Sequence, residues 1–349
     1  MSFKSMGKFD GGIISSSPAS AASARRMQTL DAAAIANGGA FLQSELEKRD
    51  NTIRQPLTSF TYGRDIPMRV GGGWAEFVSA MNVEYGVTGG SEDGLVHAGG
   101  ANGIPMVQAN FDNGLFKTHI FSIGMRVMWV DMQREKLTGR SLESILRDGI
   151  RMSYDKHMDA NVYVGIKKYG STGLLNNSNV TTANAASVST GESTTSTKFA
   201  DKTPDQILKD VNDAILAVWA AAEYDRDAVP NHIIMPYEQF NYLATTKVTE
   251  LAEKTILQFL LDNNVAKTNG SDLYIGGCSW CKGAGSGGTD RMMVYINKER
   301  YLAADELAPL SRIMTQPNAE NVCYDTAYMA NISETQMYYE NIMRYVDGI

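Results

Sequence analysis

The sequence feature closest to a reactive site is the pair Cys278 and Cys281, separated by two residues. Two such cysteines can hold a metal ion or cycle between a dithiol and a disulfide. A structural zinc site needs a second pair of ligands, and the third cysteine, Cys323, has no partner or histidine near it in the sequence. A redox dithiol needs a helix N-terminus behind it, whereas this pair ends a β-prone segment. We therefore favour buried or incidental thiols, with metal binding and redox chemistry as alternatives.

A glycine-rich segment, Gly283–Gly288, matches the G-x-G-x-x-G pattern of dinucleotide-binding turns. That chemistry needs a helix directly after the glycines, because the helix N-terminus holds the pyrophosphate. The following residues, Thr289–Ile296, have the character of a strand. The pattern therefore favours a flexible hairpin tip over a cofactor site.

The other titratable residues form no catalytic constellation. The four histidines are scattered along the chain, at His97, His119, His157 and His232. Asp155 and Asp159 share a predicted helix face with Arg151 and Lys156, which is typical of a solvated surface. The sequence predicts no catalytic residue, no cofactor and no metal ligand, and therefore a protein that is not an enzyme.

Composition limits the class of protein. The chain has 349 residues, 43% of them hydrophobic, which excludes a wholly disordered chain and suggests about two domains. Its net charge is −7 (32 Lys and Arg against 39 Asp and Glu), which argues against a dedicated nucleic-acid reader. No segment approaches the ~20 apolar residues that span a bilayer, and the N-terminus lacks the apolar region of a secretion signal. Three cysteines suggest a reducing compartment.

The first 130 residues predict elements that cannot fold alone. Residues 1–26 are rich in Ser, Ala and Gly and indicate an extended arm or a disordered tail, and a helix over 28–49 is interrupted at Gly38-Gly39. Residues 74–85 are β-prone, as are 104–110 and 115–129 after a glycine-rich tip, and together they predict a long hairpin. Because an isolated hairpin is marginal in water, we expect this one to lie on another surface.

The clearest helix is predicted over residues 141–168, with Ser141 as its N-cap. Every fourth residue is apolar, and each such step drifts about 40° around the helix. We therefore expect this helix to meet different partners at its two ends, as a spine between two regions. An ordinary long core helix is the alternative.

The remainder predicts an α+β lobe. Residues 181–201 have the composition of a surface loop or linker, and Thr203–Gln206 has the pattern of a capping box that opens a helix. A buried strand, two helices and three strand regions follow, at 232–235, 237–245, 255–265, 273–280, 291–296 and 319–346.

The order of these elements resembles that of the major capsid proteins of tailed bacteriophages of the Hong Kong 97 type. The most telling residues are Asp159–Gly165, followed by the turn Gly170-Ser-Thr-Gly-Leu-Leu-Asn176, which resembles the family's "G-x-x-G-[IL]-L-N" exit from its spine helix. Phe121–Trp129 and Asp131–Glu135 resemble the strand that enters the family's "s-r-e" segment.

The resemblance implies an α+β capsid fold with five parts. Residues 1–56 form the N-arm, 57–130 the extended E-loop hairpin and return strand, and 131–200 the spine helix and peripheral domain. Residues 201–315 form the axial domain, and 316–349 return as C-terminal strands. Because the chain starts at Met1 with a short arm, we expect no cleaved scaffolding segment.

The implied function is structural: self-assembly into the hexamers and pentamers of an icosahedral virion shell that encloses double-stranded DNA without sequence-specific binding. The implied partners are other copies of the chain, a portal protein and a separate scaffolding protein, with a decoration protein as an optional partner and no membrane. Assembly is expected in the bacterial host cytoplasm. One alternative is an encapsulin-type nanocompartment shell, and another is a soluble enzyme that uses the Cys278/Cys281 pair.

We expect the assembly interface to use apolar residues of the hairpin and of the spine helix. The candidates are Trp74, Phe77, Met81, Tyr85, Met106, Phe116, Leu142, Leu146, Tyr154 and Met158.

Overall fold

The computed structural model of the protein describes residues 56–88, 106–138, 141–188, 195–249 and 254–349. The predicted arm over 1–26, the predicted helix over 28–49 and most of the predicted hairpin tip lie outside these ranges. The described helices are α1 (Tyr62–Asp65), α2 (Trp129–Thr138), α3 (Leu142–Val164), α4 (Pro204–Ala221), α5 (Tyr237–Thr245), α6 (Ile256–Asp262) and α7 (Val265–Thr268). The described strands are β1 (Met68–Val70), β2 (Phe77–Thr88), β3 (Met106–Met128), β4 (Thr181–Asn184), β5 (His232–Met235), β6 (Tyr274–Gly277), β7 (Arg291–Tyr295), β8 (Leu302–Asn318), β9 (Cys323–Ser333), β10 (Gln336–Met337) and β11 (Arg344–Asp347). Residues 59–349 form one compact unit, to which the following description refers.

One sheet has the strand order β1-β8-β9-β3-β2, with β10 paired to β8. The sequence analysis did not predict β8, which contains two residues, Pro309 and Pro317, of a type that disfavours strands. Both prolines are accommodated because β1 pairs with β8 only as far as Glu306, and β-bulges interrupt its register with β9 between Ala308 and Ser311. Edges and bulges are the places in a sheet where proline is tolerated.

The predicted long hairpin is confirmed by the pairing of β2 with β3. The antiparallel register runs from Phe77 opposite Lys117 to Thr88 opposite Met106. From Thr118 onward β3 pairs with β9 instead. Residues 77–88 and 106–117 therefore form a two-stranded ribbon, named the ribbon below. Its twelve residue pairs give it a length of about 40 Å.

The predicted spine helix is confirmed as α3, and the Ser141 side chain accepts a hydrogen bond from the Ser144 amide as its N-cap. Ile150 packs with Met125 and Tyr328 of the six-stranded sheet. At the other end of the helix, Val162 and Tyr163 belong to a cluster that includes residues of the second sheet described below. The helix thus meets different partners at its two ends, as its drifting apolar stripe predicted.

Helix α3 ends at Gly165, whose φ of 71° is in the left-handed region that favours glycine. The predicted exit turn folds back against this helix end, since the Leu174 and Leu175 amides donate to the carbonyls of Val162 and Tyr163. A Cβ atom added to Gly173 would lie 2.4 Å from the carbonyl carbon of Tyr163 and 2.5 Å from the amide nitrogen of Val164. The close approach of two backbone segments therefore requires glycine at position 173.

Replacing Gly173 by alanine is expected to lower the free energy of unfolding by about 2–3 kcal/mol, because backbone on both sides must move. The matched control is Gly149→Ala within helix α3, where an added Cβ atom meets nothing within 4 Å. We expect that substitution to stabilise the chain by about 0.5–1 kcal/mol, since alanine loses less backbone entropy than glycine. Urea denaturation followed by circular dichroism measures both changes, and an equal effect of the two substitutions would contradict the packing argument.

The second sheet has five strands in the order β4-β11-β7-β5-β6, with α4 packed against it. The predicted capping box of α4 is confirmed, with Thr203 and Gln206 bonded reciprocally. The prediction of a linker over 181–201 is wrong at β4, which pairs in parallel with β11. Its Ser/Thr/Ala composition concealed an edge strand.

The prediction of a hairpin tip at Gly283–Gly288 is also wrong. Strands β6 and β7 both pair with β5 and lie on opposite sides of it. The glycine segment therefore joins two strands that are not paired with each other, which excludes a hairpin. The Ser286 amide in this segment donates to the Asp347 carboxylate at 2.9 Å. The next element is the strand β7, as the sequence predicted.

Within the described ranges, no helix is long and apolar enough to cross a membrane.

Candidate assembly surface and a buried junction

The ribbon has one apolar and one polar face. Residues directly opposite each other in an antiparallel pair point to the same face, and side chains alternate along each strand. The register therefore places one set of large apolar side chains together, which we name the apolar ribbon face: Phe77, Met81, Val83, Tyr85, Val87, Val107, Phe111 and Leu115. The opposite face carries mainly small or polar residues: Ala80, Asn82, Glu84, Gln108, Asn110, Asp112 and Gly114.

The apolar ribbon face is uncovered by the described part of the chain. Its eight side chains are between 39% and 76% exposed. At roughly 100 Å² for each half-exposed large side chain, their summed exposed area exceeds the roughly 300–600 Å² of the largest apolar patch on a typical monomer. A surface of this kind indicates a contact with another molecule.

The structure divides the ten predicted interface residues into three groups. Trp74, Phe77, Met81 and Tyr85 are exposed, with the last three on the apolar ribbon face. Met106 is exposed on the opposite face, where half-buried Phe116 packs edge-to-face with Tyr338 at a ring distance of 5.8 Å. The residues of α3 are Leu142 and Leu146, which are half-buried, and Tyr154 and Met158, which are buried.

Tyr154 and Met158 are not available to another molecule, and their assignment to an assembly surface is corrected here. They are 5% and 2% exposed and pack against Ala330 and Ile332 of β9. The sequence shows that they belong to the apolar stripe of α3 but not which surface covers that stripe. The chain itself supplies both covering surfaces.

Five members of the apolar ribbon face were missed by the sequence analysis: Val83, Val87, Val107, Phe111 and Leu115. Period-two alternation along both strands was the available signal. Assigning the apolar residues of both strands to one face required the pairing register of β2 with β3, which the glycine-rich tip did not reveal.

A buried carboxylate joins α1, α3 and the five-stranded sheet. Asp65 is 0% exposed and accepts hydrogen bonds from Arg64 Nε at 2.6 Å, from His232 Nε2 at 3.0 Å and from the Tyr163 hydroxyl. Its backbone carbonyl accepts from the Tyr295 hydroxyl at 2.7 Å. Burial alone would raise the pKa of Asp65, but the hydrogen bonds from His232, Arg64 and Tyr163 hold that pKa below its usual value.

Asp159 is a second buried carboxylate, and the prediction that it lies on a solvated helix face is wrong. It is 6% exposed and accepts from the backbone amides of Thr61 and Tyr62 at 3.0 and 3.2 Å. Trp280 Nε1 donates to its other oxygen at 2.5 Å. Asp159 therefore fixes the start of α1 against α3. Local sequence patterns could not reveal this role, because the groups that donate to Asp159 are distant from it in the sequence.

The cysteine pair lies in the same junction. Cys278 and Cys281 are free thiols, both 0% exposed, in the cluster that contains Tyr163 and Met293. The Cys281 thiol lowers the pKa of Cys278 through a hydrogen bond, whereas that hydrogen bond and burial raise the pKa of Cys281. Among the described residues, no group of three His, Cys, Asp or Glu side chains could hold a metal ion. The expectation of buried thiols is confirmed.

Two sheets, a connecting helix and an uncovered apolar ribbon face are typical of a subunit that contacts other molecules through an apolar surface. Comparison with known proteins identifies its family. Residues 94–349 match the family model described as major capsid protein, and the chain belongs to this family.

Solved structures show the same fold at low sequence identity. The capsid of Myoviridae phage XM1 superposes with a TM-score of 0.70 at 16% identity, covering 88% of this chain and 98% of that one. A capsid of a native GTA particle gives 0.56 at 12% identity, covering 86% and 94%. Microbacterium phage Oxtober96 gives 0.55 at 11% identity, covering 91% and 98%. The comparison with curated proteins gives no match.

The chain therefore has an α+β phage capsid fold, and its family is structural rather than enzymatic. Homo-oligomeric assembly and location in the virion capsid follow from that membership.

Proposed function

We propose that the chain is a shell subunit of the Hong Kong 97 type, which self-assembles into hexamers and pentamers of an icosahedral shell around double-stranded phage DNA. The apolar ribbon face carries this proposal. A large apolar surface on a two-stranded ribbon is stable in water only when another surface covers it. Repeated contacts between copies around symmetry axes would cover it on every subunit.

The proposed domain map follows the resemblance in element order. Residues 1–56 are the N-arm, 57–130 the E-loop and return strand, 131–200 the spine helix and peripheral domain, 201–315 the axial domain, and 316–349 the returning C-terminal strands. Two features refine this map for the described residues. Strand β8, within 302–318, pairs in the six-stranded sheet, and β4, within 181–184, pairs in the five-stranded sheet. Helix α3 contacts both sheets and corresponds to the spine.

The proposed partners are other copies of the chain, a portal protein, a separate scaffolding protein and, optionally, a decoration protein, with assembly in the host cytoplasm. The net charge of −7 supports a container that encloses DNA without binding it tightly. Non-specific nucleic-acid binding needs dense positive charge, which this composition lacks.

Negative-stain electron microscopy of the purified protein tests the proposal. We expect closed particles or ring-shaped capsomers, and particles from the native host should protect double-stranded DNA from nuclease. Protected protein cargo would instead support an encapsulin-type nanocompartment. A chain that remains a compact monomer at high concentration would overturn the shell assignment altogether.

A further inference from the structure

Two histidines lie where the ribbon leaves the six-stranded sheet. Strand β3 changes partner between Lys117, which pairs with Phe77, and Thr118, which pairs with Ser333. His119 follows directly. His119 therefore lies at the base of the ribbon, where β3 begins to pair with β9.

Each histidine ring packs on an aromatic ring, and each of these two contacts joins β3 to α3 or to the residues that follow α3. His119 stacks on Tyr169, just after α3, with ring centres 5.4 Å apart. His157, on α3, packs on Phe121 of β3 at 5.2 Å. Because His119 and Phe121 are two residues apart in a strand, they point to the same face. The two histidines thus hold one side of the ribbon base against the end of the helix.

The surroundings of this pair favour neutral rings. Both rings are partly buried, and His119 Nε2 is enclosed without a hydrogen-bond partner. Around His119, the Glu334 carboxylate favours a positive charge and Lys117 opposes it. Lys168 lies over the Tyr169 ring at 5.7 Å and adds a further cation beside the stack. His119 itself is the charge that opposes protonation of His157.

Burial is the largest cause of the lowered pKa of His119, and the Lys117 charge adds to it against the opposing effect of Glu334. Burial also lowers the pKa of His157, with a further contribution from His119. Both pKa values therefore lie below the ordinary histidine value of about 6.5. Protonation of either ring places a cation where burial opposes it, and at His157 the charge on His119 opposes it as well.

We propose that His119 and His157 form a pH-sensitive contact that holds the ribbon base against α3 when both rings are neutral and releases it on acidification. This inference goes beyond shell formation and would hold in an isolated subunit. An opened base lets the rings regain the ordinary histidine pKa. The contact's contribution to the stability of the closed ribbon base is therefore complete above about pH 6.5. It is lost as the pH falls through the lower histidine pKa of the closed state.

Hydrogen–deuterium exchange of the full chain, corrected for intrinsic exchange rates, tests this device. We expect protection of amides 117–125 to fall between pH 7.5 and pH 5.0, by up to a factor of ten for each unit by which closing the contact lowers a histidine pKa. Amides of β7, in the other sheet, should keep their protection over the same range. Equal protection of the ribbon base at both pH values would overturn the proposal.

The double variant His119→Phe/His157→Phe keeps both ring contacts and removes both titrations. We expect its ribbon base to lose protection no more than β7 does on acidification, and an acid response equal to that of the unmodified chain would refute the assignment to these histidines. Deuterium exchange at the imidazole C2 position of the unmodified chain gives an independent readout that does not depend on the variant folding. It should yield a pKa below 6.5 for both rings, and a value at or above 6.5 for either one would also refute the device.

Discussion

Replacing Asp65 by alanine is expected to lower the free energy of unfolding by about 3–5 kcal/mol. The carboxylate is fully buried, and its removal leaves the side chains of His232, Tyr163 and Arg64 without their shared acceptor. The first two of these donors are themselves buried. Unpaired buried polar groups bear the whole desolvation cost, whereas an intact network offsets it. Because native domains are stable by about 5–15 kcal/mol, the variant should be close to unfolding at 37 °C.

The matched control is Asp325→Ala, which also removes a carboxylate bonded to an arginine. Arg126 Nε lies 2.7 Å from Asp325, but the two side chains are 53% and 38% exposed. Exposed pairs contribute little because water solvates both partners after either is removed. Urea denaturation midpoints of the unassembled chains should therefore fall steeply for Asp65→Ala and hardly change for Asp325→Ala. Equal midpoints for both variants would show that the buried junction does not stabilise the fold.

The junction around Asp65 also shows why local sequence patterns predict some features and miss others. The N-cap Ser141 and the capping box at Thr203 were predicted because all their determinants lie within four residues. Tyr163 lies 98 positions after Asp65 and His232 lies 167 positions after it, and no periodicity in the sequence marks the three residues as neighbours. Their contact depends on the packing of α3 between two sheets. That arrangement was expected in outline, but its polar contacts were not.

Strand predictions failed for a different physical reason. Intrinsic preference argued against β8, since proline lacks an amide donor, yet bulges and a short neighbouring strand remove the need for those donors. The edge strand β4 has a polar composition and gains its order from pairing with β11. In both cases tertiary pairing overrode local preference. The family resemblance identified the class of protein because it depended on element order, which survives such local exceptions.

Replacing Phe111 by aspartate is expected to abolish assembly while leaving the subunit folded. Phe111 is 65% exposed at the centre of the apolar ribbon face, directly opposite Val83. In the free subunit its side chain contacts mainly water, so the substitution should change the free energy of unfolding by no more than about 0.5 kcal/mol. In an assembled shell the same position would bury an unpaired charge against an apolar surface. That costs several kcal/mol at each contact and is repeated on every copy.

Gln108→Asp is the matched control, because it adds the same charge on the same strand but on the opposite face of the ribbon. Sedimentation velocity should detect shells or capsomers for the unmodified chain and for Gln108→Asp, and only subunits for Phe111→Asp. Circular dichroism of the three chains should be alike, which separates loss of assembly from loss of folding. If Phe111→Asp assembled as readily as Gln108→Asp, the apolar ribbon face would not be the contact surface. Loss of assembly in both variants would instead indicate that the ribbon tolerates no added negative charge, and that assembly depends on its charge rather than on its apolar face.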